Sequence, residues 1–210
     1  MPVSALLLDL GGVLLDLHVE ATLHAFEAGG CVHFREWFSL RQQIPVFDAW
    51  DKGEITDTAF RDYFRTRCPM RMDDARFDHC WNAMLGNLPA HRLELLRVLG
   101  RNYRLFLLSN TNFIHLHHFR EQIRKEHGIL LDDCFEKAYY SCRLGMRKPE
   151  PGIYDLVVKE NRLNPSETLF IDDGPAQVEG ARRAGLQARV LPAGMELKVL
   201  LEELLGTKLP

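Results

Sequence analysis

Short continuous apolar runs alternate along the chain with stretches whose apolar residues recur every three or four positions. Ala5–Leu10, Arg104–Ser109 (RLFLLS) and Thr168–Asp172 (TLFID) read as buried strands, with weaker candidates at Ala138–Ser141 and Gln187–Leu191. Pro89–Leu99, Asn112–His127, Pro151–Glu160 and Ala176–Ala184 read as helices between them, and Met195–Leu205 as a last amphipathic helix packed on the core. Strands without polar alternation, separated by helices, predict an α/β fold: a parallel sheet covered on both faces.

The segment from Leu17 to Leu88 breaks this rhythm, because it holds no clear strand. Thr56 is a suitable N-cap for a helix over Asp57–Arg67, and Asp73 or Asp74 for one reaching Leu85. Gly29-Gly30 reads as a helix terminator. Aromatics recur at helical intervals: Phe60, Tyr63 and Phe64, then Phe77 and Trp81. The expected organisation is a core of residues 1–16 and 89–210, interrupted after its first strand by a helical insertion, 17–88. An insertion there overhangs the strand ends, where open α/β sheets bind ligands.

Composition narrows the function classes. The chain has 210 residues, 46% hydrophobic and 26% charged, with a formal net charge of −3. That balance offers no basic field for nucleic acid and no polybasic surface for a membrane. No apolar stretch approaches a membrane span, and no basic segment precedes the first apolar run as in a signal peptide. The five cysteines are odd in number and form no C-x-x-C, so reduced thiols and a cytoplasmic location are expected. Nothing in the sequence demands more than a monomer.

The candidate chemistry lies where apolar runs end. The first stops at Asp9, the second at Ser109-Asn110-Thr111-Asn112, the third at Asp172-Asp173. Each carboxylate alone is explained by a helix cap or a solvated loop. Brought to one sheet edge, Asp9, Asp172 and Asp173 would repel one another without a cation, and hard oxygen ligands suit Mg²⁺. Lys148 precedes Pro149 and a helix start, and from there could project a positive charge toward phosphate.

The order of these motifs resembles the haloacid dehalogenase superfamily of phosphatases and dehalogenases. The matching residues are Asp9-Leu10-Gly11-Gly12-Val13, Ser109-Asn110-Thr111-Asn112, Lys148-Pro149 and Phe170-Ile171-Asp172-Asp173, spread over nearly the whole chain. Leu144-Gly145-Met146, Ile153-Tyr154 and Asp51-Lys52-Gly53-Glu54-Ile55-Thr56 are similar to a subgroup that includes a bacterial α-D-glucose-1-phosphate phosphatase. The resemblance implies a Rossmann-like core with an inserted helical cap. It implies Asp9 as a nucleophile that forms an aspartyl-phosphate, and Ser109 and Asn110 as phosphate donors through the Ser109 hydroxyl and the Asn110 backbone N–H. Lys148 would orient Asp9 and offset phosphate charge. Mg²⁺ would be held by Asp9, Asp173 and the Gly11 backbone carbonyl, with Asp172 behind them. The implied substrate is a small phosphorylated metabolite, with a sugar 1-phosphate as one candidate.

One position departs from the pattern. Many phosphatases of the superfamily carry a second aspartate two residues after the nucleophile, as general acid and base, and this chain has Gly11 there. Such assistance is worth about 10²–10⁴ in rate. Three outcomes are open: an activated leaving group that needs less protonation, a replacement acid from Asp16, His18 or His24, or a weak enzyme that mainly binds phosphate compounds. A metal-free 2-haloacid dehalogenase and a non-catalytic phosphate-binding or regulatory module stand as alternatives. Arg41 and Trp50 are candidate substrate contacts from the insertion, although tryptophans 37, 50 and 81 also suit packing. His115, His117 and His118 do not share one helical face and read as ordinary helix positions rather than a metal site.

Overall fold

The computed structural model describes residues 3–38, 44–68 and 72–209. Five strands form one parallel sheet: β1 (Ala5–Leu8), β2 (Arg104–Ser109), β3 (Lys137–Tyr140), β4 (Thr168–Asp172) and β5 (Gln187–Val190), in the order β3-β2-β1-β4-β5. β1 lies at the centre. Leu6, Leu7 and Leu8 are fully buried, because helices cover both faces and each strand residue meets an apolar layer whichever way it points. Burial of each such leucine is worth about 1.5–3 kcal/mol, before the entropy cost of ordering the chain.

Helices α6 (Ala90–Leu99), α7 (Phe113–His127), α8 (Ser141–Leu144), α9 (Pro151–Glu160), α10 (Pro175–Arg183) and α11 (Leu197–Leu205) fall between and after the strands. One face of the sheet packs Leu6, Leu8, Leu105 and Leu107 with residues of α6, α7 and α11. The other packs Leu7, Phe106, Leu108 and Phe170 with residues of α9 and α10. The strand order reverses beside β1, so the C-terminal ends of β2, β1 and β4 open on one crevice.

Between β1 and α6 the described residues form helices and no strand: α1 (Val19–Ala28), α2 (Phe34–Trp37), α3 (Pro45–Asp51), α4 (Asp57–Arg65) and α5 (Asp74–Asn82). The expected caps operate. The Thr56 hydroxyl accepts from the Ala59 N–H at 3.1 Å and the Asp73 carboxylate from the Arg76 N–H at 2.8 Å. The helices enclose an aromatic core of their own, with Phe26 stacked on Phe34 and Trp50 on Phe60. The chain leaves and re-enters the sheet region side by side. The His18 N–H donates to the Met84 carbonyl at 2.7 Å, and the Gly86 N–H to the Asp16 carbonyl at 2.9 Å.

Two expectations need correction here. Cys31 and Cys68 form a disulfide with Cα atoms 5.1 Å apart, where reduced thiols were expected; Cys80, Cys134 and Cys142 are free. The pairing is possible because the turns after α1 and α4 meet at one end of the helical insertion, a proximity that the odd cysteine count conceals. The first strand also ends at Leu8 rather than Leu10. The Leu10 carbonyl accepts from the N–H groups of both Leu14 and Leu15, so the chain is already turning. Among the described residues no helix is long and apolar enough to cross a membrane.

Candidate active site

β1 delivers Asp9 to the crevice, and the Asp9 N–H donates to the Ile171 carbonyl at 2.9 Å, which locks it beside β4. β4 ends in Asp172, followed by Asp173. The loop before α9 brings Lys148 between them, with its ammonium 2.5 Å from Asp9 Oδ1 and 2.6 Å from Asp172 Oδ2. Asp9, Lys148 and Asp172 are all buried, whereas Asp173 is open to solvent. Single oxygens of Asp9, Asp172 and Asp173 lie within 4.8 Å of one another.

These charges are out of balance. Three carboxylates and one ammonium sum to −2, and burial makes the excess costly. Burial pushes the Asp9 carboxyl up to about 7; Lys148 pulls it down, and Asp172 and Asp173 push it further up. Burial and Asp172 also raise the Asp173 carboxyl. Burial opposes the charge on Lys148, yet Asp172 and Asp9 outweigh it and hold the ammonium above its ordinary range. A divalent cation among these oxygens would cancel the excess, and hard carboxylate donors suit Mg²⁺.

Asp172 is the least able of the three to turn toward a cation. Its Oδ2 is held by Lys148, and its Oδ1 accepts from the Gly174 N–H at 2.8 Å, at the start of α10. Gly174 is the N-cap of α10, so Asp173 does not take the capping role that would explain it alone. Asp173 lies against Gly12, whose φ is +75° and where a Cβ would sit 2.5 Å from Asp173 Oδ2. Only glycine meets both demands, the left-handed turn and the close carboxylate.

β2 ends at Ser109, which is buried beside the crevice. The Asn110 side chain faces the lysine loop: its Nδ2 donates to the Lys148 carbonyl at 2.8 Å, and its Oδ1 accepts from the Lys148 N–H at 2.9 Å. Ser141, fully buried at the start of α8, ties down the next residue. Its hydroxyl accepts from the Thr111 N–H at 2.9 Å and donates to the Thr111 carbonyl at 3.0 Å. Sequence reading missed Ser141 and the side-chain task of Asn110, because neither partner is near in sequence.

Several other candidates find structural tasks. Asp16 accepts from Arg92 at 2.8 Å, and Arg92 also grips Glu196 at 3.0 Å, so Asp16 fastens the crossing chain segments. His24 is an exposed neighbour of Glu20, and His18 immediately precedes α1. Trp50 is corrected as a substrate contact. It is fully buried in the aromatic core, and its indole N–H donates to Asp57 at 2.8 Å. Arg41 lies outside the described residues. His117 and His118 line a surface groove of about 750 Å³ that contains none of the strand-end residues.

A smaller cavity of about 110 Å³ adjoins the strand ends. Leu10, Gly11, Ser109 and Asn110 line it from the sheet side, and Leu17, Phe38, Trp81 and Asp51 from the insertion. Trp81 stacks on His115 with ring centres 4.8 Å apart, so the tryptophan that reaches the cavity is not the one picked from sequence. At Gly11 a Cβ would lie 2.9 Å from Leu17 Cδ1. Leu17 therefore crowds the space into which a side chain at position 11 would start.

Residues 3–185 match the model of the haloacid dehalogenase-like hydrolase family. The chain is 27% identical over 186 residues to a D-ribitol-5-phosphate phosphatase of Bacteroides thetaiotaomicron, covering 88% of this chain and 90% of the relative. It is 28% identical over 208 residues to a sesquiterpene phosphatase of Aspergillus oryzae, covering 97% of each. Among solved structures, a HAD family enzyme from B. thetaiotaomicron, an aspartate-to-alanine mutant in complex with magnesium and inorganic phosphate, superposes with a TM-score of 0.90 at 34% identity, over 95% of this chain and 98% of that one. An L-2-haloacid dehalogenase from Xanthobacter autotrophicus, at 20% identity and a TM-score of 0.61 over 99% of this chain and 85% of that one, shares the fold. A sheet that ends in Asp9, Ser109 and Asp172, a lysine brought between the two aspartates, and a family model spanning most of the sequence agree: the chain belongs to the haloacid dehalogenase-like hydrolase family.

Proposed function

We propose that this protein is a Mg²⁺-dependent phosphatase that hydrolyses a small phosphorylated metabolite through an aspartyl-phosphate on Asp9. The observation that carries the reading is Lys148, buried and bonded to both Asp9 and Asp172, with Asp173 alongside at the sheet's ligand-binding edge. The phosphatase relatives and the magnesium- and phosphate-bound structure support it.

Lys148 holds Asp9 Oδ1 and leaves the second oxygen for attack on phosphorus. As the new Asp9 O–P bond forms, the ester P–O bond breaks and the leaving oxygen departs with the bonding pair, taking its proton from solvent to become the alcohol. Water then attacks the acyl-phosphate, releasing inorganic phosphate and restoring Asp9. Ser109 and the Asn110 backbone N–H donate to the phosphoryl oxygens, and the Asn110 side chain keeps Lys148 in register. Asp9, Asp173 and the Gly11 carbonyl would hold Mg²⁺, with Asp172 behind them. When bound, the ion supplies positive charge where the phosphoryl oxygens concentrate negative charge. Helices α1–α5, within residues 17–88, act as the cap that sets the substrate.

With no carboxylate at position 11, activated leaving groups fit best, and a sugar 1-phosphate has one in its anomeric oxygen. The test is release of phosphate from p-nitrophenyl phosphate, with Mg²⁺ and with chelator, by the wild type and by Asp9→Asn. Release that requires both Asp9 and the metal supports the reading. Release that survives their loss overturns it.

A further inference from the structure

We propose that Asp51 recognises hydroxyl groups of the leaving group, so that the preferred substrates are phosphate esters of neutral, polyhydroxylated compounds. The inference rests on the phosphatase reading and names the substrate class of that same site.

The cavity is the starting point. Its sheet-side lining is Gly11, Ser109 and Asn110, next to the nucleophile. Its opposite lining is mostly apolar, with Leu17, Phe38 and Trp81. Asp51, at the end of α3, is the carboxylate in that lining, and its side chain is only 13% exposed. Its contacts among the described residues are long: Asn112 Nδ2 stands 3.5 Å from Oδ1, and Arg147 Nη2 stands 3.6 Å from Oδ2. Arg147 is closer to Asp48, at 3.0 Å.

An ionised carboxylate offers about four acceptor sites and no donor. Two long contacts leave acceptor capacity, and a confined cavity has little water to use it. A group that brings O–H donors to this wall completes the carboxylate, and adjacent hydroxyls can use both oxygens. A second anionic group on the leaving portion would meet Asp51 as a like charge. Burial pushes the Asp51 carboxyl up to about 6, with Arg147 and Asn112 holding it down, so it is largely ionised above neutral pH.

Asp51 is held in place from both sides. The next residue, Lys52, pairs with Asp48 at 2.9 Å and with Glu150 of the lysine loop at 2.5 Å. Gly53, with φ +71°, approaches α8 so closely that a Cβ would lie 2.3 Å from the Cys142 carbonyl oxygen. The turn after α3 is thus seated on the sheet-side half of the molecule with its carboxylate toward the cavity wall.

The test compares kcat/KM for D-ribitol 5-phosphate and glucose 1-phosphate, as hydroxylated probes, with that for p-nitrophenyl phosphate. Asp51→Leu is expected to lower the ratio of hydroxylated to aryl substrate by about 30-fold or more, the scale of a lost hydrogen bond to a charged group. Asp51→Asn keeps one acceptor and the side-chain shape, and is expected to lower the ratio by about 5–10-fold. It is also expected to improve 2-phosphoglycolate, whose leaving portion is anionic, relative to the aryl ester. Circular dichroism melting confirms that each variant is folded; the near-isosteric Asn variant carries the test if the Leu variant is not. Equal loss on all substrates, an unchanged ratio, or a wild type that cleaves the aryl ester but neither hydroxylated probe would overturn the inference. A wild type that cleaves none of these esters would overturn the phosphatase reading itself.

Discussion

The crevice at the strand ends and the helical insertion above it solve opposite problems. In the crevice, three carboxylates and a lysine are forced together, and their partners are fixed by short contacts from Lys148, Asn110 and the Gly174 N–H. In the insertion, the interior is a set of packed rings, and Trp50, Phe60 and Phe64 are wholly buried. Charge organises the first region and apolar area the second. The difference predicts that changes in the crevice act mainly on chemistry, and changes in the insertion mainly on stability and substrate choice.

The largest effect tests the chemical half. Asp9→Asn keeps the shape but removes the nucleophile, and phosphatase activity is expected to fall by roughly 10⁴-fold or more. A fall below tenfold would break the assignment. Lys148→Met comes next. It leaves buried carboxylates without their ammonium, so a loss of about 10²–10³ in kcat and a stability loss of about 3–5 kcal/mol without metal are expected. Chemical denaturation with and without Mg²⁺ reads the second effect; unaltered stability in chelator would contradict the charge argument.

In the insertion, Trp50→Ala removes the ring stacked on Phe60 and is expected to cost about 3–5 kcal/mol while the strand-end residues stay in place. A melting curve combined with residual p-nitrophenyl phosphatase activity separates the two. A variant with wild-type stability would show that the aromatic core is not what holds the insertion together.

Position 11 sharpens the comparison where the regions meet. Gly11→Asp combined with Leu17→Ala clears the space that Leu17 now crowds. It is expected to raise kcat/KM for esters of ordinary alcohols by about 10-fold or more, relative to p-nitrophenyl phosphate. No gain on poor leaving groups would show that protonation there is not limiting.

A pH dependence tests the wall between the regions. His115 is buried against Trp81, and burial lowers its pKa to about 3, with only the Trp81 carbonyl opposing. Its folded pKa thus lies below the ordinary value of about 6.5. The unfolded chain takes up the proton first as pH falls, so the contribution to stability is intact above pH 6.5 and is lost between there and 3. The slope is up to about 1.4 kcal/mol per pH unit. Urea midpoints of wild type and His115→Gln across that range should converge toward acid; parallel curves would refute it.

The comparison also explains what was legible in the sequence. Strand ends announce themselves, because a carboxylate or serine after an apolar run is anomalous; Asp9, Ser109 and Asp172 were readable for that reason. Lys148 was legible as a charge that could reach phosphate, but a lysine before proline is ordinary on its own, and its link to Asp9 came from the resemblance. In the insertion, any aromatic fits a packed interior, so spacing could not tell the buried Trp50 from Trp81 at the cavity. Asp51 lies one residue beyond Trp50, and that step turns the helix surface by about 100°. Its setting, Asp51-Lys52-Gly53-Glu54, is similar to the phosphatase subgroup as a stretch, and that similarity does not single out the aspartate. The Cys31–Cys68 pair, Asn110 with Lys148, and Ser141 with Thr111 all depend on tertiary approach that no local pattern encodes.

The most direct measurement is to stop a reaction with a phosphorylated substrate in acid within the first turnovers, digest the protein, and map phosphate by mass spectrometry. A Mg²⁺-dependent acyl-phosphate on Asp9, absent from Asp9→Asn, is the expected result. Phosphate release at the wild-type rate in the Asp9→Asn variant, or a covalent phosphate on any other residue, would contradict the account.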